Sequence, residues 1–134
     1  MPKAQLTSGL FLFYTMSFNK ILSLFKISAL NQMQEQTIDA IAKPQDVVLI
    51  SPTGSGKTLA FLLPLLEMFD TEKEGVQVLI LVPTRELALQ IEQVFRQMAT
   101  GFKVNTCYGG HDVKIEKNNL QHPPALLIGT PGRI

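Results

Sequence analysis

The chain has 134 residues, of which 46% are hydrophobic and 17% charged, and its formal net charge is +1. These values predict one globular domain with a buried core and exclude a disordered chain, and the near-neutral charge does not by itself indicate nucleic-acid binding. Cys107 is the only cysteine, which excludes a disulfide framework and favours a reducing, cytoplasmic location. No apolar run reaches the roughly 20 residues of a membrane span, so we expect no membrane association.

Residues 1–15 are predicted to be an extension that is either disordered or packed as an apolar appendage. Its apolar run, Leu10–Tyr14, is too short for a signal peptide, and no small-residue cleavage site follows it. The domain is expected over 16–134. Four apolar residues then follow helical spacing and predict a first short helix: Phe18, Ile21, Leu22 and Phe25.

A second helix is predicted from Asn31 to Ala42, with Met33, Ile38 and Ile41 facing inward. Asn31 and Gln34 stand three residues apart, as the two members of a capping box do. Local structure alone therefore gives Gln34 a role at the start of the helix.

The most informative stretch is 51–58, which reads Ser51-Pro52-Thr53-Gly54-Ser55-Gly56-Lys57-Thr58. A predicted strand at 47–50 precedes it and a predicted helix follows it, which is the order that a phosphate-binding loop needs. The two glycines allow backbone N–H groups to approach phosphate oxygens. Lys57 suits the β- and γ-phosphates, and the Thr58 hydroxyl suits Mg²⁺. Ser51 stands where glycine or alanine is usual in this motif.

The rest of the chain alternates helices and strands, which predicts a parallel α/β sheet with flanking helices. Helix 59–69 is expected to kink at Pro64, and strand 76–82 to be buried on both faces. Thr84 is a plausible cap for the next helix, whose inward stripe is Leu87, Ile91, Val94, Phe95 and Met98. The remaining predicted elements are strand 102–108, a weak helix over 113–120 and strand 125–128.

The strings SPTGSGKT (51–58), PTRELA (83–88), Gly109-Gly110 and TPGR (130–133) occur in this order. Together they closely resemble the amino-terminal RecA-like domain of a DEAD-box ATP-dependent RNA helicase, over residues 18–133. The first string alone indicates only a P-loop NTPase. The resemblance implies ATP and Mg²⁺ as cofactors, with Lys57 and Thr58 acting on the phosphates.

The resemblance also implies that Gln34 reads the adenine edge and that Phe18 stacks on the base. A glutamine amide both donates and accepts hydrogen bonds, which suits adenine over guanine. The chain lacks the prolines that the family usually places at 30–33, so Gln32 and Gln36 stay possible rivals.

The family's contacts with the RNA backbone match Pro83, Thr84 and Arg85, then Gly109 and Gly110, then Thr130, Pro131, Gly132 and Arg133. Taken singly, Arg85 is more often a solvated helix-start residue and Pro131-Gly132 a simple turn. Their places after successive strands favour one shared, sequence-independent binding edge. Glu86 is interpreted as a partner of an arginine or of the helix dipole, and His111 and His122 as surface loop residues.

Neither Asp-Glu-Ala-Asp nor Ser-Ala-Thr occurs in these 134 residues, and the resemblance places both downstream, with a second RecA-like domain. We therefore expect the ATP-binding part of an ATP-hydrolysing RNA helicase that is inactive by itself. The alternatives are a stand-alone nucleotide-binding module without catalysis and a DNA helicase of the same superfamily.

Overall fold

The structure, a computed structural model, describes residues 18–110 and 112–134. The predicted extension at 1–15 and the prediction for His111 lie outside the described residues. The helical segment at 18–24 is called α1. The other elements, in chain order, are α2 (Gln32–Ile41), α3 (Lys57–Leu65), a 3₁₀ turn (Leu66–Met68), β1 (Val78–Leu81), α4 (Arg85–Gln97), β2 (Val104–Cys107), α5 (Val113–Asn119) and β3 (Leu126–Gly129).

The three strands form a parallel sheet in the order β1-β3-β2, which confirms the predicted fold class. β3 is central, and its last residue, Gly129, lies opposite Leu81 on one side and Cys107 on the other. All three strands therefore end at the same level. The loops that follow them start from one edge of the sheet.

Helices α3 and α4 supply much of the hydrophobic core. The predicted cap of α4 is confirmed, because the Thr84 hydroxyl accepts a hydrogen bond from the Leu87 N–H. The predicted inward stripe of α4 also holds: Ile91, Phe95 and Met98 are buried, and Leu87 and Val94 pack against the core. Cys107, the last residue of β2, is buried.

The strand predicted at 47–50 is not formed among the described residues. This segment has no ladder partner, and Val48 and Ile50 are 86% and 90% exposed. A strand exists only where a neighbour completes its backbone hydrogen bonds, and hydrophobic sequence alone does not supply one. The phosphate-loop region therefore follows a segment without regular secondary structure rather than a sheet strand.

The prediction that β1 is buried on both faces is wrong. Burial alternates along this strand, and Leu79 and Leu81 are about half exposed. Among the described residues β1 is an edge strand with one covered face.

In α2, the buried residues are Gln34 and Thr37, while the three predicted inward residues are only partly buried. The α-helix α3 ends one residue after Pro64 and continues as a 3₁₀ turn; the predicted kink itself stays a prediction.

Gly129→Ala should destabilise the chain by about 1–3 kcal/mol, because an added Cβ would lie 2.8 Å from the Cys107 carbonyl oxygen in the neighbouring strand. Urea unfolding followed by circular dichroism measures this. Gly132→Ala is the matched control, since nothing lies within 4 Å of a Cβ at that position. Equal unfolding midpoints for the two variants would show that the close approach at Gly129 is not tight.

Candidate functional site

The loop 51–58 joins the segment 47–50 to α3 and contains two glycines with positive φ. Gly54 has φ 79° and Gly56 has φ 87°, a left-handed conformation that side chains rarely adopt. Gly56 is the N-cap of α3 and provides no capping side chain. The first-turn N–H groups of α3 are therefore available to an anion, which the helix dipole also favours.

Polar contacts inside the loop hold it in a compact turn. The Ser51 hydroxyl donates to the Ser55 hydroxyl at 2.6 Å, and the Ser55 hydroxyl donates to the Pro52 carbonyl at 2.7 Å. The Lys57 ammonium donates to the carbonyls of Ser51 and Pro52. The serine that departs from the usual motif thus has a structural role, and Lys57 is positioned over the loop.

Two side chains of the α2 capping box bind the loop to that helix. The Gln34 Oε1 accepts from the Asn31 N–H, and the Asn31 Oδ1 accepts from the Gln34 N–H, as the spacing predicted. The Gln34 Nε2 also donates to the Gly56 carbonyl at 3.2 Å, and the Asn31 Nδ2 donates to the Ser55 carbonyl at 3.0 Å. An added Cβ on Gly56 would lie 2.5 Å from the Gln34 Nε2. Gly56 is therefore required both for its φ and for this approach.

The structure separates Gln34 from its rivals. Gln34 is 3% exposed and touches the loop, whereas Gln32 and Gln36 are exposed. A glutamine amide has two donors and two acceptor sites, so the bonds to Asn31 and Gly56 leave it capacity for a ligand. Phe18 lies on α1, where it is partly buried and packed against the hydrophobic core.

Thr58 lies on the first turn of α3 and is the predicted magnesium ligand. Residues 18–110 and 112–134 contain no group of three or more His, Cys, Asp or Glu side chains that could hold a metal. His122 is exposed, as predicted.

The other predicted residues follow the ends of the three strands. Pro83, Thr84 and Arg85 are exposed after β1, and Gly109 and Gly110 are exposed after β2. After β3, Pro131 and Gly132 are exposed, and Thr130 and Arg133 are partly buried. The structure thus brings the three motifs to one edge of the sheet, as predicted.

Sequence reasoning missed two residues at this edge, Tyr108 and Glu116. The Arg85 guanidinium lies over the Tyr108 ring, 4.8 Å from its centroid. The Glu116 Oε2 lies 3.3 Å from the Arg133 Nε, and its Oε1 accepts from the Tyr108 N–H at 3.3 Å. The aromatic residue directly before Gly109 was a usable signal for Tyr108. Glu116 sits in a weakly patterned helix and gave none.

Charges at this edge also act on a neighbouring thiol. Burial raises the pKa of Cys107, the nearby Glu116 carboxylate raises it further, and Arg133 lowers it.

Glu86 forms no ion pair within the described part of the chain, so the prediction that it pairs with an arginine is not met there. Its place in the first turn of α4 agrees with the alternative, a partner of the helix dipole.

None of the helices that the structure describes has the length and apolar character needed to cross a membrane.

Comparison with known sequences gives a family match over residues 31–134, to the DEAD/DEAH box helicase family. One similar protein is the DEAD-box ATP-dependent RNA helicase CshC of Bacillus cereus, which is 42% identical over 107 residues. The match covers 78% of this chain and 28% of that protein, so the chain spans between a quarter and a third of this relative's length.

Solved structures agree with the sequence match. The RNA helicase Prp28 of Chaetomium thermophilum bound to ADP has a TM-score of 0.69 at 34% identity, over 85% of this chain and 30% of that one. The DEAD-box helicase Mss116 bound to single-stranded RNA and UDP-BeF has a TM-score of 0.76 at 29% identity, over 99% and 30%. The loop, the strand-end motifs and these matches agree, and the chain belongs to the DEAD/DEAH box helicase family.

Proposed function

We propose that the chain is the ATP-binding part of an ATP-dependent RNA helicase, which couples ATP binding and hydrolysis to RNA strand separation. The observation that carries this proposal is the joint presence of a phosphate loop tied to Gln34 and three strand-end motifs at one sheet edge. Relatives named as ATP-dependent RNA helicases support it.

For ATP, the proposed contacts are the backbone N–H groups of 51–58 with the phosphates, and the Lys57 ammonium with the β- and γ-phosphates. Lys57 would exchange its loop carbonyls for phosphate oxygens, which are stronger acceptors. Thr58 would hold Mg²⁺, which supplies charge neutralisation on the phosphates. Gln34 would read the adenine edge with its remaining donor and acceptor sites, and Phe18 would stack on the base.

For RNA, the proposed contacts are with the sugar-phosphate backbone. Arg85 and Arg133 would supply charge-assisted hydrogen bonds, while the backbones of Gly109-Gly110 and of 130–132 approach phosphates closely. A net charge of +1 gives little long-range attraction. We therefore propose that a second RecA-like domain completes the groove when ATP closes the two domains together.

The 134 residues alone are proposed to bind ATP without hydrolysing it, because they lack the Asp-Glu-Ala-Asp carboxylates. The stand-alone module and the DNA helicase remain the alternatives. A binding competition between RNA and DNA strands of the same sequence distinguishes an RNA helicase from a DNA helicase. Only RNA offers 2′-hydroxyl contacts, so an RNA helicase should prefer the RNA strand. The cytoplasmic location stays a prediction.

Lys57→Ala should weaken ATP binding by about 10- to 100-fold, as expected for the loss of a charge-assisted hydrogen bond. Calorimetry on the 134-residue chain measures this, and Lys73→Ala is the control, because it removes an equally charged ammonium that is exposed and pairs with Asp70. Phosphate release from the wild-type sample should stay at background. Equal affinity of wild type and Lys57→Ala would refute the nucleotide site, and measurable turnover would refute the inactivity of this chain.

Gln34→Ala should reduce the preference for ATP over GTP by about 1–3 kcal/mol. Because Gln34 also supports the loop, the matched control is Asn31→Ala, which removes the other capping-box bond and the contact with Ser55 while keeping Gln34. Affinities of the two nucleotides for each variant are compared by calorimetry. If Asn31→Ala reduces the preference equally, loop support rather than base reading explains the effect.

Arg85→Ala and Arg133→Ala should each weaken binding of unrelated single-stranded RNAs by similar factors, in the full-length protein encoded by the reading frame that contains these residues. Each should reduce the magnitude of the negative slope of log affinity against log salt by about 0.7, the value for one lost phosphate contact. Fluorescence anisotropy at several KCl concentrations gives both quantities. A changed sequence preference with an unchanged slope would argue against backbone contacts.

A further inference from the structure

Glu116 and Tyr108, which lie outside the three strand-end motifs, contact each other and an arginine from each of two motifs, and Tyr108 directly precedes the third motif, Gly109-Gly110. Glu116 lies on α5, and its side chain is 11% exposed. Its carboxylate has one oxygen on the Tyr108 N–H and the other near the Arg133 Nε, both at 3.3 Å. One side chain thus links the residue before Gly109 with the last residue of TPGR.

Tyr108 extends this link to the remaining motif. Its ring is buried, and the Arg85 guanidinium lies on the ring face. The Arg85 Nη1 also lies beside Gly110, 3.7 Å from where a Cβ of that residue would be. The guanidinium is therefore held between an aromatic face and the glycine loop, a placement that cation–π attraction favours.

We propose that Glu116 is a positioning residue for RNA binding: it holds the Gly109-Gly110 loop and Arg133 at a fixed separation, while Tyr108 holds Arg85 beside the same loop. This inference rests on the proposed RNA-binding function. Three phosphate contacts from three separate strands grip one RNA backbone only if their spacing is fixed. Glu116 and Tyr108 are the side chains that cross-connect them.

The burial of the ion pair favours positioning over competition with RNA. A carboxylate beside a phosphate site would repel RNA if it were exposed, but Glu116 is mostly buried and paired with Arg133, which is 23% exposed. Glu116 also accepts from a backbone N–H, a contact that an incoming phosphate would not release. The competing possibility, in which Glu116 withholds Arg133 from RNA, predicts the opposite change in affinity.

The test compares Glu116→Ala, Glu116→Gln and Glu86→Gln in the same full-length protein, by anisotropy with a fluorescein-labelled oligouridine at several KCl concentrations. Glu116→Ala should weaken binding by about tenfold and reduce the magnitude of the salt slope by about 0.7, as if a phosphate contact were lost. Glu86→Gln is the matched control, because it removes the same charge from an exposed position beside Arg85. Glu116→Gln keeps one acceptor oxygen and loses the charge, so it should bind RNA more weakly than Glu86→Gln.

A double-mutant cycle distinguishes positioning from general destabilisation. In an Arg133→Ala background, Glu116→Ala should cost much less RNA affinity than it does in wild type, because Arg133 is no longer there to be positioned. Tyr108→Leu, which removes the ring beneath the Arg85 guanidinium, should resemble Arg85→Ala. Circular dichroism confirms folding, and if Glu116→Ala does not fold, the cycle is closed with Glu116→Gln.

Each outcome decides one of the two hypotheses. If wild type binds no RNA, the proposed function fails. If wild type binds and Glu116→Ala binds equally well, or the cycle is additive, positioning is refuted alone. If both Glu116 variants bind more tightly with a steeper salt slope, Glu116 competes with RNA for Arg133, and positioning is again refuted.

Discussion

The central place of β3 in the parallel sheet determines where the rest of the chemistry lies. Parallel strands run in one direction, and the register sets Gly129 beside both Leu81 and Cys107. Three segments that are distant in sequence therefore leave the sheet at one level and from one edge. The close contact of Gly129 with the Cys107 carbonyl depends on a residue without a side chain. A bulkier residue there would separate β3 from β2 and move two of the three motifs apart.

The loop 51–58 is held in place by hydrogen bonds from α2 rather than by the sheet. Among the described residues no strand pairs with the segment before it, so the sheet does not fix its position. Instead, Asn31 and Gln34 of α2 donate to the carbonyls of Ser55 and Gly56. A capping box, which normally serves only its own helix, here also sets the distance between two helices. A ligand that engages Gln34 would thus act on the loop through a direct hydrogen bond.

The proposed binding edge combines few charges with several fixed contacts. Arg85 and Arg133 are each held by a side chain from another element, the first by an aromatic ring and the second by a carboxylate. Immobilising long cationic side chains before binding reduces the entropy lost when they meet a ligand. In the proposed RNA site, this would compensate for a net charge of only +1. It agrees with a site that grips a repeating backbone rather than one that attracts nucleic acid from a distance.

The sequence by itself determined the fold class, the glycine loop at 51–58, the caps of α2 and α4, and the position of three motifs after successive strands. Each rests on local rules, namely turn glycines, capping residues and alternating helices and strands.

The tertiary structure decided the features that depend on contacts with neighbouring elements. It placed Gln34 rather than Gln32 or Gln36 against the loop through the phase of α2, left 47–50 without a ladder partner, and exposed one face of β1. It also brought Glu116 to Arg133, a pairing that no local pattern encodes, because it depends on where α5 lies relative to Tyr108 and Arg133, which follow β2 and β3.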